Sequence, residues 1–399
     1  MDTITLVIAI VGICLAIYFN VCNGRNDAAN TIAITIATRA LSPGKAVIIA
    51  SVFCLLGPFV FSTAVASTIG KGLVTTDIIT PVLLLVALCG AILWVSFCSR
   101  KGLPVSSSHA QVGGLLGAGI AAGGIQAVIG PTPDMFFGML FYLGCGALTG
   151  CLAGLLLAGI FKDSVKRFML LGAVVGAVVA IPIAMICFGF VFGGILAIIL
   201  FICVSPLLGL VVSYIITIIV TNLQGRFTKH PSRMNKWFQR LQVVGSAFQA
   251  LSLGGNDAQH AMGFIMAIMI SVGWLGVNDA LPFWVILVSA LAITAGLLSG
   301  GWKVIRSLGS GITRLRPYQG FSASLAAGSV LSFMVSFGVP VSSTHLTSGT
   351  IMGTGVTRGV GAVNWKTVRR MVLAWLITIP CAGVISFAGY MIVAFIFGL

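Results

Sequence analysis

Apolar runs of about 17 to 25 residues follow one another along the whole chain, each near the length that crosses a bilayer as a helix. Stretches such as VILVSALAITAGLL (285–298) are apolar on every side, whereas strands of a membrane barrel would alternate polar and apolar residues. In lipid a segment must satisfy its own backbone, which leaves helices. The pattern therefore predicts an all-α polytopic membrane protein. Composition agrees: 58% of the 399 residues are hydrophobic, 7% are charged and the mean hydropathy is +1.14. No Lys or Arg precedes the first apolar run, so a cleaved signal peptide is not expected. The ten Cys lie largely within apolar runs without metal-type spacing and read as small apolar fillers.

Two short patterns occur twice. GRNDAANTIAI (24–34) returns as GGNDAQHAMGF (254–264), and GLPVSSSHAQVGG (102–114) returns as GVPVSSTHLTSGT (338–350). The offsets nearly agree (257 − 27 = 230; 345 − 109 = 236), which indicates an internal duplication. The expected division is a first repeat at 1–167, connecting helices at 168–225 and a second repeat at 226–399.

Charge gives the orientation of the copies. The net charge of +15 would suggest nucleic acid in a soluble domain, but here the basic residues cluster between apolar runs, so they mark cytoplasmic loops and no nucleic-acid partner is expected. Arg39 and Lys45 follow the first Asn-Asp segment, whereas the second is followed by SVGWLGVNDALP with no basic residue. Asp2 alone precedes the first copy; five basic residues in 225–240 precede the second. The copies are thus inverted. About twelve membrane segments are expected, with both termini outside: 4–38, 46–69, a pair at 79–98 and 102–129, 135–161, 168–189, 191–222, 242–272, 281–302, a pair at 320–337 and 338–357, and 368–398. The two pairs are expected to be re-entrant hairpins, since their turns carry the repeated polar motif. The 4–38 segment exceeds the length needed, so it is expected to be broken at Gly24, and its counterpart at Gly254 and Gly255.

Within such segments Asn26-Asp27 and Asn256-Asp257 are costly, an aspartate near the bilayer centre costing about 2.5–3.5 kcal/mol on insertion scales. Capping a half-helix would need only Asn or Ser. A buried carboxylate beside amide oxygens suits a hard cation such as Na⁺, or a proton. The PVSSSH (104–109) and PVSSTH (340–345) turns place a proline and hydroxyls at a helix start, where backbone N–H groups and the helix dipole favour an anion. Ser106, Ser107, Ser108, Ser342, Ser343 and Thr344 add hydroxyl donors. Gln111 and Thr347 stand one turn on and offer oxygens to a cation; His109 and His345 are expected to orient the hydroxyl turns. Arg25 aligns with Gly255 and reads as a counter-ion, an anion contact or a snorkelling side chain. Two aspartates and one hydrogen phosphate repel by about 3 kcal/mol per like pair at 5 Å and an effective dielectric of 20, so anion binding should require cations.

The paired Gly-x-Asn-Asp-Ala and Pro-Val-Ser-Ser-[Ser/Thr]-His motifs, inverted and in this order, resemble the PiT family of inorganic phosphate transporters over nearly the whole chain. The resemblance implies phosphate symport with Na⁺ in some branches and with H⁺, often as a metal-phosphate complex, in others, and sulfate in a related branch. It puts Asp27 and Asp257, with Asn26 and Asn256, at the cation and phosphate site, and gives phosphate to Ser107, Ser108, Ser343 and Thr344. Asn23, another cation candidate, aligns with Leu253 and is not doubled. The expected activity is Na⁺-coupled phosphate import across the cell (inner) membrane by alternating access. A homodimer is suggested by resemblance alone. No cofactor beyond the coupling ion is expected. A Ser-His-Asp hydrolase is disfavoured by the absence of a G-x-S-x-G elbow and by the symmetric pair of sites.

Overall fold

The computed structural model describes residues 3–61, 63, 65–66, 73–161, 164–190, 194–227, 231–339 and 341–398. Among these lie thirteen α-helices: α1 (Thr3–Ala37), α2 (Pro43–Val60), α3 (Pro81–Lys101), α4 (Ser107–Gly123), α5 (Pro133–Phe161), α6 (Val165–Cys187), α7 (Gly194–Phe227), α8 (Pro231–Ser271), α9 (Phe283–Ser299), α10 (Trp302–Gly311), α11 (Pro317–Ser336), α12 (Ser343–Val356) and α13 (Trp365–Phe397). Twelve of them match the expected segments, although 62, 64 and 67–72 of the 46–69 segment fall outside the described residues. The thirteenth, α10, is a short amphipathic helix, burying Val304, Ile305 and Leu308 and exposing Lys303. Seven of the described helices (α1, α2, α3, α5, α6, α7 and α13) are long and apolar enough to cross a membrane; α9 and α10, bent by 72° at their junction, meet the same length and composition only as a pair.

The expected breaks at Gly24 and at Gly254–Gly255 are absent: α1 and α8 run unbroken for 35 and 41 residues. Tilt and extension beyond the hydrocarbon absorb such length. The glycines serve packing instead. A Cβ at Gly24 would overlap the Ile293 carbonyl of α9, and one at Gly254 would overlap the Cys54 carbonyl of α2. In lipid, where packing drives association, small residues let backbones meet. So α1 crosses α9 as α8 crosses α2.

Two helical hairpins flank this crossing. In the first, α3 starts at Pro81 behind the N-cap Thr80 and ends at Gly102 with φ 72°, and α4 returns. Its open end is closed by a Val74–Val128 bridge, with Thr75 N–H donating to Ala127 (3.0 Å) and Ile129 N–H to Leu73 (3.1 Å). The second, α11 and α12, is tied near its open end by Asn364 N–H to the Ile312 carbonyl (2.8 Å) and by Gln319 Nε2 to the Thr354 carbonyl (2.7 Å). Behind them, Gly113 and Gly117 of α4 press on the carbonyls of Ile379 and Gly383 in α13, while Gly349 and Gly353 of α12 press on those of Pro206 and Leu210 in α7. Helices α5 and α6 pack mainly on each other and turn Phe137, Phe141, Leu156 and Leu170 outward.

Candidate functional site

Buried polarity concentrates where the two long helices meet the hairpin turns. Asn20, Asn23, Asn26, Asp27 and Asn30 line the middle of α1, and Gln249, Asn256, Asp257, Gln259 and His260 that of α8. Each Asn-Asp pair is held alike: Asn26 Nδ2 donates to the Val105 carbonyl (2.8 Å) and to Asp27 Oδ1 (3.0 Å), and Asn256 Nδ2 to the Val341 carbonyl (3.0 Å) and to Asp257 Oδ1 (2.6 Å). The amide thus ties its own hairpin turn to its own carboxylate.

Hydroxyls complete the carboxylate shells. Ser343 donates to Asp257 Oδ2 (2.9 Å) and Ser107 stands 3.4 Å from Asp27 Oδ2, two equivalent contacts. Thr344 crosses between the repeats and donates to Asp27 Oδ1 (2.8 Å). Asn30 Nδ2 reaches Asp27 Oδ1 (3.1 Å), Ser343 (3.3 Å) and Thr344 (3.2 Å), so one network joins both aspartates. Among the described residues neither carboxylate pairs with Lys or Arg; His260 places Nε2 3.8 Å from Asp257 Oδ1. Arg25 turns to the exposed side of α1 and is no counter-ion.

The hydroxyl turns begin their helices three residues later than a proline at the first helical position would place them (107 − 104 = 3). Ser106 and Ser342 are the N-caps, accepting from the N–H of His109 and His345, and Ser107 and Ser343 are the first helical residues. Pro104 lies two residues before the cap, and its carbonyl accepts from Trp375 Nε1 (3.1 Å); Pro340 falls outside the described residues. The histidine rings meet each other, centroids 4.7 Å apart, and His345 stacks on Trp375 at 4.0 Å, so they brace the turns by packing. Ser108 shares a 2.8 Å hydrogen bond with Ser106 and touches no carboxylate, unlike its counterpart Thr344.

The remaining candidates sit close by. Asn23 Nδ2 donates to the Asp257 carbonyl (3.3 Å), and Thr347 accepts from Gln249 Nε2 (3.2 Å). Gln111 is buried with both side-chain polar atoms unpartnered, and the amide oxygens of Asn23, Asn30 and Asn256 are buried without a donor. Asn30, Gln249 and Ser99, which donates to Asn26 Oδ1 (3.1 Å), escaped the sequence reading. Asn30 could have been found, since it stands one turn after Asp27 and its duplicate position holds polar His260 (30 + 230 = 260). Gln249 aligns with Phe19 and Ser99 lies outside the doubled motifs, so neither carried a signal.

A sequence profile described as the phosphate transporter family matches residues 23–171 and 139–386, both Asn-Asp motifs and both hydroxyl turns included. The chain belongs to the phosphate transporter family. Named relatives match over most of this chain. A protein of Rhizobium meliloti (strain 1021), named "Probable low-affinity inorganic phosphate transporter", is 34% identical over 374 residues, 94% of this chain and 93% of that one. One of Bacillus subtilis (strain 168) with the same name is 31% identical over the full length of both. A solved structure titled "The sodium-dependent phosphate transporter" superposes with a TM-score of 0.68 over 98% of this chain and all of that one, at 24% identity, and shares the fold. Members of this phosphate transporter family are transporters and not enzymes, and the chain is read as one, set in a membrane by its apolar helices.

Proposed function

We propose that this transporter imports inorganic phosphate by symport with Na⁺, with phosphate held between the two hydroxyl turns and cations at the two Asn-Asp pairs. One observation carries the reading: two buried carboxylates belong to one hydrogen-bond network with no Lys or Arg partner among the described residues, beside amide oxygens that lack donors. Carboxylate and amide oxygens are ligands of hard cations. Cations there would offset the repulsion between the aspartates and an entering hydrogen phosphate, so each would raise the affinity of the other. Ser107, Ser343 and Thr344, at the first helical turns of α4 and α12, supply hydroxyl and N–H donors for the anion; Ser108, its hydroxyl shared with Ser106, lies at the edge of the anion site and contributes least. Asn23, Asn26, Asp27, Asn256 and Asp257 are the proposed cation ligands, with Gln111 and Thr347 behind them. The related structure bears sodium dependence in its title, which favours Na⁺ over H⁺.

In this reading the two copies are inverted repeats around the site, the hairpins are re-entrant, and alternating access comes from moving the α1, α8 and hairpin assembly against its surroundings. Matched glycine contacts support a pairing of α7 with α13, each backing the hairpin arm of one copy. The arithmetic is consistent: 349 − 113 = 236 and 353 − 117 = 236 in the arms, 379 − 206 = 173 and 383 − 210 = 173 in the backing helices. Helix α13 would then complete the first repeat from the far end of the chain, leaving α5 and α6 outside both and free to face lipid or a second copy.

Uptake of labelled phosphate into proteoliposomes tests the coupling. An inward Na⁺ gradient is expected to drive accumulation, and D27N and D257N are each expected to abolish it. Accumulation under a proton gradient without Na⁺ would instead make the aspartates proton carriers.

A further inference from the structure

The open end of the second hairpin forms a cleft of about 470 Å³ between the α10–α11 connection and the α12–α13 connection, far along α12 from the hydroxyl turn. Ser310, Thr313, Arg314, Arg358 and Asn364 line it. The cleft is built rather than incidental. Arg358 Nη2 donates to the Thr313 hydroxyl (2.8 Å) and to the Arg314 carbonyl (2.6 Å), and Thr313 donates to the Ala362 carbonyl (2.8 Å).

What the lining has left to offer is donors. Asn364 Oδ1 already accepts from Thr367 N–H (3.3 Å) as the N-cap of α13, which leaves its Nδ2. Ser310 donates to the Arg306 carbonyl (2.9 Å), and the Thr313 oxygen already both donates and accepts. Nε and Nη1 of Arg358 and the whole Arg314 guanidinium remain. The sequence holds no Asp or Glu after Asp279, so no carboxylate of residues 280–399 competes for them. Two guanidinium groups with an amide N–H₂ beside them match the oxygens of a phosphate group.

The position adds a second argument. The Asn-Asp pairs and hydroxyl turns are doubled, but Arg358 of this cleft is not. The short turn Val360–Ala362 after α12 repeats Ile125–Ala127 after α4, an offset of 235, and at the place of Arg358 the first copy has Gly123 (358 − 235 = 123). There the open end is closed by the Val74–Val128 bridge. A basic lining in the second copy alone lies apart from the doubled turns and points to a role of its own. Exposed Trp365, beside Lys366 at the start of the long apolar helix α13, sets it at the membrane–water boundary.

We propose that this cleft binds a phosphate group at the membrane–water boundary, either the headgroup of an anionic phospholipid or free inorganic phosphate. Because the cleft spans the roots of α11, α12 and α13, an occupant bridges the second hairpin to its surroundings. It can thereby set how readily the hairpin moves, with no contact to the transported ion.

The experiment uses the purified full chain, the R314Q and R314E variants, and melting temperatures without ligand to confirm folding; the Arg314 side chain makes none of the contacts that build the cleft. Native mass spectrometry with dioctanoyl phosphatidylglycerol, against the phosphatidylcholine analogue, reads the lipid arm. Equilibrium dialysis with ³²P-labelled inorganic phosphate reads the other. Loss of about tenfold in phosphatidylglycerol affinity in R314E, with phosphatidylcholine unchanged, supports the headgroup source, one lost charge-assisted contact being of that size. Unchanged lipid binding with one phosphate fewer per chain supports the free-phosphate source. If both folded variants match the wild-type protein in both assays, the proposal is overturned.

Discussion

Thr344 is the residue at which the two halves of the site meet, since it belongs to the second hairpin yet donates to the aspartate of the first long helix. Replacing it with valine keeps the shape and removes the donor, which leaves a buried carboxylate short of a hydrogen bond. Such a loss costs about 1.5–3 kcal/mol, so T344V is expected to lower phosphate uptake in proteoliposomes by about ten- to a hundredfold, and T344S to restore most of it. Ser108, the counterpart by sequence, makes its bond to the N-cap Ser106. S108A is therefore expected to change uptake by less than about threefold, below 1 kcal/mol; equal effects of the two substitutions would contradict the asymmetry. This difference was invisible in the sequence, where Ser108 and Thr344 hold the same place in the same motif. The aspartates and their asparagines were legible because a charged residue in an apolar run demands a reason. Asn30 was legible and missed.

At the scale of elements, hydropathy located the helices well because a membrane segment has to be apolar throughout. It misled on continuity. Length alone suggested that α1 and α8 are interrupted at their glycines, but glycine before Asn-Asp has a second explanation, close helix crossing, that hydropathy cannot distinguish from a break. G24A tests the packing reading: the added methyl meets the Ile293 backbone, which has little room to yield. A destabilisation of about 1–3 kcal/mol, the usual cost of overpacking, is expected as a lower melting temperature in detergent. G44A, in the first turn of α2 with nothing within 4 Å of the added Cβ, is expected to be neutral or slightly stabilising. Helix α10 was missed for a different reason: at ten residues it is too short for a spanning window, although its apolar positions 304, 305 and 308 follow helical spacing.

At the scale of the whole molecule, contacts sort the charges onto two faces. Arg39 at the end of α1 accepts from Gln239 near the start of α8 (3.4 Å), and Thr38 lies against Gly320 at the start of α11. This gathers Arg39, Arg240, Arg316 and Arg358 on one face. The open end of the first hairpin lies at the other, next to Asp77 and Asp134, where Phe59 at the end of α2 also meets Phe283 at the start of α9 (6.0 Å), just after Asp279. Basic residues are retained on the cytoplasmic side. Helix α13 starts on the basic face with Lys366, Arg369 and Arg370 and ends one crossing later, so the C-terminus is expected outside. Alkaline phosphatase fused after Leu399 should then be active and a fluorescent protein at the same point dark, with the reverse for fusions after Gln224. Direction of transport depends on this result. With the basic face inside, each net positive charge carried inward gains about 2.3 kcal/mol per 100 mV of inside-negative potential, so cation binding at the aspartates would couple the membrane potential to phosphate import. A fluorescent C-terminus would turn the molecule over, place the phosphate-group cleft outside the cell, and remove the anionic inner leaflet as its lipid source.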